Sequence, residues 1–136
     1  MKFALHPQLL HDLDPMTATE DFEYLFLPNG ELPWVVIVPK VPGITEVFEL
    51  SEVQQADLYA QIARVSKMIK LEFQCDKINI AAFGNMVPQL HIHIIGRYKK
   101  DSAWPGSVFG VKLKADIKND SSLKEKITSQ LLRRLE

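Results

Sequence analysis

Cysteine is almost missing from this chain. Cys75 is the only one, which excludes an internal disulfide and any cysteine-rich metal centre. Neither sign of charge is in excess, since 16 basic and 17 acidic side chains leave a net charge of −1. No positive field therefore points to nucleic acid as a partner. No apolar run approaches the roughly 18 residues that cross a bilayer. Met1-Lys2-Phe3-Ala4-Leu5-His6-Pro7 is not followed by the apolar stretch of a secretory signal. The expectation is a cytoplasmic protein with no membrane association. Repeats, linkers and low-complexity segments are also absent. What is present is an ordinary globular composition, 46% hydrophobic and 24% charged over 136 residues, enough for one domain spanning the chain.

The elements follow from periodicity. Phe3, Leu5, Leu9, Leu10 and Leu13 keep a rough helical spacing that Asp14-Pro15 ends. His6 and His11 in this stretch read as solvated or capping residues. Residues 16–21 read as a polar loop. Residues 22–27 read as a strand, followed by Pro28-Asn29-Gly30-Glu31, a compact turn in which Asn29 tolerates positive φ. Trp34-Val35-Val36-Ile37-Val38 is apolar throughout, the pattern of a strand covered on both faces, and it should pair with 22–27 as an antiparallel hairpin. Ser51-Glu52-Val53-Gln54 forms a capping box. Leu58, Ile62, Val65 and Ile69 continue the stripe of a helix from 52 to about 73 that lies on a sheet. Residues 77–83 read as a further strand, broken by Gly84-Asn85. Residues 99–110 read as a loop. Ser122-Leu123-Lys124-Glu125 marks a second capping box, opening a C-terminal helix along Leu123, Ile127 and Leu131. Trp34 and Cys75 read as core residues.

The stretch most suited to chemistry is Gln89-Leu90-His91-Ile92-His93-Ile94-Ile95-Gly96-Arg97-Tyr98. Leu90, Ile92 and Ile94 alternate with Gln89, His91 and His93, the period of a strand with one face on a core. Same-face neighbours in such a row stand about 6.6–6.8 Å apart, and two of the chain's four histidines fall in it. Three readings compete. Two imidazoles can ligate a metal, but zinc needs a third protein ligand, and the residues after His93 supply no Glu. The histidines can be a structural pair. Or one imidazole, its other nitrogen held by a partner, can be a nucleophile on a rigid strand. Arg97, Lys99 and Lys100 could attract a phosphate, although a solvated strand end is the plainer reading of the lysines.

This row with its flanks resembles the signature of the histidine triad (HIT) superfamily, His-φ-His-φ-His-φ-φ with φ apolar, in a variant with Gln at the first position. The apolar strand closing with Pro39-Lys40, the long helix, the next strand and Gly84-Asn85-Met86-Val87 come in the family's order, and Trp104-Pro105-Gly106 is similar to an ending found in its nucleoside-phosphoramidase branch. The resemblance covers roughly residues 20–110, leaving about 121–136 as a C-terminal helical extension. It implies an α+β fold, a mainly antiparallel sheet with one long helix packed on it plus terminal helices. It also implies a nucleotide-binding hydrolase or nucleotidyl transferase acting at the α-phosphorus of a nucleotide conjugate, needing no metal or cofactor. His91 would be the nucleophile, with His93 beside it and Gln89 in the first triad place. Asn29, Asn79, Gly84, Asn85 and Trp104 would contact substrate. A homodimer through the long helix (Tyr59, Ile62, Ala63, Met68) and a sheet edge would follow. Two residues depart from the pattern. Gln89 cannot carry a proton as imidazolium does, and Met86 stands where the family has a hydroxyl. A non-catalytic or weakly active nucleotide-binding protein is the alternative, and a His-ligated metal protein a lesser one.

Overall fold

The computed structural model describes residues 1–113 and 117–135. Its centre is a five-stranded antiparallel sheet in the order β1-β2-β3-β5-β4. The strands are β1 (Asp14–Ala18), β2 (Phe22–Phe26), β3 (Trp34–Pro39), β4 (Lys77–Ala81) and β5 (Ile92–Arg97). Helices α1 (Pro7–Asp12), α2 (Glu52–Glu72) and α3 (Ile117–Arg134) complete an α+β fold. The all-apolar strand is β3, in the middle and buried at every residue. It pairs antiparallel with β2 across the Asn29-Gly30 turn, Phe26 opposite Val35.

Alternation sorts the sheet's two faces. Val35, Ile37, Ile92 and Ile94 join Leu90 in one core, which α2 covers with Leu58, Ile62, Val65 and Ile69. The Ser51 hydroxyl caps Gln54 N–H while the Gln54 side chain returns to Ser51 N–H, so the capping box opens α2 as its spacing requires. On the other face Trp34, Val36, Val38 and Ile95 pack with Leu9, Leu13, Val87 and Val108. Both histidines of the row belong to this second side, because Val36 lies directly opposite His93.

Four expectations are corrected. Residues 16–21 are not all loop: β1 covers Asp14–Ala18, an edge strand that accepts Pro15 by shifting register between Pro15 and Thr17. The N-terminal helix is only Pro7–Asp12, starting at a proline that suits a first helical turn and capped by the His6 ring on Gln8 N–H. The C-terminal helix is already formed at Ser122, inside Ile117–Arg134; the Asp120 carboxylate accepts from Asn29 and Gly30 N–H and pins that first stretch to the turn. Along α2, Ile62 and Met68 are core residues, which leaves Tyr59 and Ala63 as the outward members of the presumed dimer face.

Cys75 is buried, and with Ile69 and Pro33 it closes over Gly96 of β5. A Cβ on Gly96 would lie 2.8 Å from both Ile69 Cγ2 and Pro33 Cγ and closer still to Cys75 Sγ. Gly96→Ala should therefore overpack the core and cost about 1–3 kcal/mol, read as a lower denaturant midpoint; an unchanged midpoint would show that the helix can retreat.

Candidate active site

His91 is placed by its neighbours. Leu90 and Ile92 are both anchored in the α2-side core, and Leu90 N–H donates to Ile44 O at 2.9 Å. This leaves His91 just ahead of the β5 ladder, so the strand expected from 89 starts at Ile92. The His91 ring turns back on its own chain, with Nδ1 2.6 Å from Gln89 O. A carbonyl can only accept, so Nδ1 carries the hydrogen and Nε2 of the neutral ring keeps its lone pair.

His93 has the opposite arrangement. The Trp34 indole N–H, a donor only, reaches His93 Nδ1 at 3.0 Å. The lone pair is therefore at Nδ1 and the hydrogen at Nε2. The two rings stand 5.2 Å apart, tilted edge to face. One presents a lone pair and the other an N–H. Both residues are 8% exposed. Burial, and to a lesser degree the charge of a protonated His91, lowers the His93 pKa to about 4. His93 is thus neutral at pH 7.

This shift has a consequence for stability. The unfolded chain takes up a proton near pH 6.5 and the folded ring only near 4. Stability is therefore full above about 6.5 and falls as pH drops toward 4, by up to roughly 3 kcal/mol. Trp34→Phe removes the donor that holds the neutral form, and should raise the His93 pKa in an NMR titration. An unmoved titration would mean that burial and the neighbouring His91 set it.

Around His93 lies an aromatic cluster. Phe109 is 5.0 Å and Phe83 6.4 Å from its ring, and Phe83 and Phe109 meet at 4.5 Å. These rings line an open cleft of about 540 Å³ together with Leu27, Trp34, Val87, Val108, Gly84, Asn85, Met86, His91 and His93. Phe83 and Phe109 carry no site signal in the sequence, and Trp34 reads there only as core.

The other candidates fall elsewhere. Gln89 gives its side chain to the N-terminal segment: Oε1 accepts from His6 N–H and Nε2 donates to Ala4 O, both at 2.9 Å. The Asn29 amide is fully used inside its turn, donating to Leu27 O and Leu32 O and accepting from Glu31 and Leu32 N–H. Asn79, on β4, accepts from Arg97. Trp104 lies under the Arg97 guanidinium, 5.5 Å from carbon to ring centre. The structure does not bring Asn29, Asn79 or Trp104 into the cleft lining. Nor does Arg97 reach for phosphate: it is 1% exposed and bound to Asp101 by two hydrogen bonds. His11 pairs with Asp12 in solvent, and Lys99 and Lys100 are exposed. Among the described residues no group of three or more His, Cys, Asp or Glu side chains could hold a metal ion. No described helix is long and apolar enough to cross a membrane.

A five-stranded sheet that sets two oppositely polarised imidazoles beside a largely apolar cleft defines a small α+β protein with a histidine-centred site. Residues 12–100 match the HIT domain family, and the chain belongs to it. A crystal structure of a histidine triad protein from Marinobacter aquaeolei VT8 superposes with a TM-score of 0.90 at 36% identity, covering 100% of both chains. A histidine triad protein from Bradyrhizobium japonicum is similar at 37% identity and a TM-score of 0.87, over 96% of this chain and 98% of that one. The Saccharomyces cerevisiae bis(5'-adenosyl)-triphosphatase is 33% identical over 70 residues, which is 48% of this chain and 34% of the yeast protein. The match thus spans about a third of the length of that relative.

Proposed function

We propose that this protein cleaves a nucleotide conjugate at its α-phosphorus through a nucleotidyl-His91 intermediate, working as a single HIT-like domain. The observation that carries the reading is the His91 ring, whose Nδ1–H is held by Gln89 O while Nε2 is left as the nucleophile beside the cleft. Nε2 attacks phosphorus, a P–N bond forms, and the leaving group departs with the electron pair of the bond it loses. Water then attacks phosphorus, the P–N electrons return to Nε2, and the water's proton is released. His93 Nε2–H and the backbone amides of Gly84, Asn85 and Met86 would donate to phosphate oxygens, as such preorganised donors do. Phe83 and Phe109 would take the base. A homodimer, with Tyr59 and Ala63 facing outward from α2, belongs to the same proposal.

The residues lining the cleft bear on the leaving group. Met86 is a thioether with no proton to give, and His93 is neutral above about pH 4. Gln89 is an amide already bonded to backbone. An amine leaving group needs a proton and a phosphate does not. A dinucleoside polyphosphate should accordingly turn over faster than an adenosine phosphoramidate, by on the order of 10²-fold, the usual contribution of a positioned acid. The experiment incubates the protein with each, measures turnover, and looks by mass spectrometry for nucleotidyl protein in quenched samples. Binding without turnover would make the protein a non-catalytic nucleotide binder. Faster phosphoramidate cleavage would show that a proton donor has been overlooked.

A further inference from the structure

We propose that Gln89, in the first triad place, is a positioning residue that clamps the N-terminal segment and thereby fixes the carbonyl holding the His91 nucleophile; this rests on the nucleotidyl-transfer reading above. The Gln89 amide meets the backbone as another strand would. Its Oε1 takes His6 N–H and its Nε2 gives to Ala4 O, each at 2.9 Å across more than eighty residues of sequence. The side chain has no reason to turn toward a phosphate while both ends of it are occupied. The carbonyl of the same residue accepts His91 Nδ1–H at 2.6 Å. One residue therefore ties a distant segment to the tautomer of the nucleophile.

The clamp has a firm base on each side. Phe3 and Leu5 pack against the second core, and His6 O accepts from Leu9 and Leu10 N–H at the start of α1. On the far side Leu90 is held in the first core and bonded to Ile44 O. Without the amide bonds, Gln89 would be fixed only through its chain neighbours, Val87 in the second core and Leu90 in the first. Its carbonyl could then rotate, and a ring free to swap tautomers presents its lone pair at Nε2 only part of the time. A histidine in this place could not reproduce the paired donor and acceptor of an amide without a matching change in residues 4–6, so the Gln and the N-terminal segment form one device.

His6 offers a pair of variants that differ in a single bond. Its backbone, φ −58° and ψ 136°, already suits proline, so His6→Pro deletes the N–H that Gln89 accepts and also the ring cap of α1. His6→Ala deletes only the ring. The pair is compared with Gln89→Ala in two measurements: the ¹⁵N shifts of the His91 ring, which report its tautomer without any turnover, and kcat and KM for a dinucleoside polyphosphate. Gln89→Ala should move the ring from one tautomer to a mixture and lower kcat about tenfold, with KM within threefold. His6→Pro should fall below His6→Ala by about threefold or more in kcat, with the same change in the ring spectrum. An unchanged His91 spectrum in Gln89→Ala and His6→Pro overturns the proposal. So does a rise in KM with kcat preserved, which would place the Gln89 side chain on the substrate. If wild type shows no turnover, the functional reading fails while the ring spectra still decide whether the clamp exists.

Discussion

His91→Ala should lower turnover by about 10⁶-fold, in the range seen when the nucleophile of a covalent mechanism is removed. The size of the loss follows from what remains. His93 cannot take over, because its Nδ1 lone pair faces the Trp34 indole and its Nε2 carries a hydrogen, so neither nitrogen can attack. Hydrolysis in the variant would have to proceed by direct attack of water, assisted only by donors that hold the phosphate. In the proposed reading ground-state binding would rest on the cleft's aromatic residues and the turn at Gly84 and Asn85, so KM should change by less than about fivefold, as expected when an interaction of the transition state alone is lost. His91→Gly with added imidazole should recover part of the rate, since a free ring can enter the vacated space. Equal turnover by His91→Ala would reassign the nucleophile. A large rise in KM with little loss in kcat would make His91 a binding group.

The parts of this site that could be read from the sequence are those set by local pattern. The alternation of Leu90, Ile92 and Ile94 places the histidines on the opposite face because the strand period is two, and the structure keeps that sorting into two cores. The Ser51-Gln54 box and the α2 stripe are legible for the same reason. The residues that tune the histidines are not. Trp34 precedes His93 by 59 positions, and its bond depends on the β3–β5 register, which sets Trp34 opposite Ile95 and Val36 opposite His93. Once that register is known, Trp34 is the diagonal neighbour of His93 and within reach for a long aromatic side chain; nothing within β3 alone shows it. Phe109 arrives on a loop, and its place against His93 follows from the path of residues 98–110. β1 was hidden because its own composition is that of a loop: Asp14, Pro15 and Thr17 become strand only because β2 offers them an unpaired edge. Asn29 illustrates the opposite case. Its turn role is visible from Asn-Gly, and the structure shows that role using all of its amide bonds.

The largest loss of stability should come from Asp101→Ala. The Asp101 carboxylate accepts from Arg97 Nε and Nη2 at 2.8 and 3.0 Å, and from the N–H groups of Tyr98, Ala103 and Trp104. Arg97 is 1% exposed, so removing its partner leaves a buried guanidinium with the Asn79 side-chain oxygen and the Trp104 ring. Breaking a buried pair from one side costs about 3–5 kcal/mol, and the loop's three N–H donors lose their acceptor at the same time. The double variant Arg97→Met with Asp101→Ala should recover part of this loss, because no charge is then buried alone. The pair also has a pH signature. Burial pushes the Asp101 carboxyl up, but the Arg97 bond and the N–H groups of Tyr98 and Ala103 outweigh it and hold the pKa below the ordinary 3.8. The contribution of Asp101 is therefore complete above about pH 4 and lost as pH falls through the lower folded value. Acid unfolding of wild type should show it below pH 3.8, and Asp101→Asn should not. The effect reaches the candidate site, because the loop that Asp101 organises carries Val108 and Phe109 into the cleft. If the loop loosens, water reaches His93 and its pKa should climb from about 4 toward 6.5. A destabilised Asp101→Asn protein in which His93 still titrates near 4 would separate the stability of the loop from the electrostatics of the cleft.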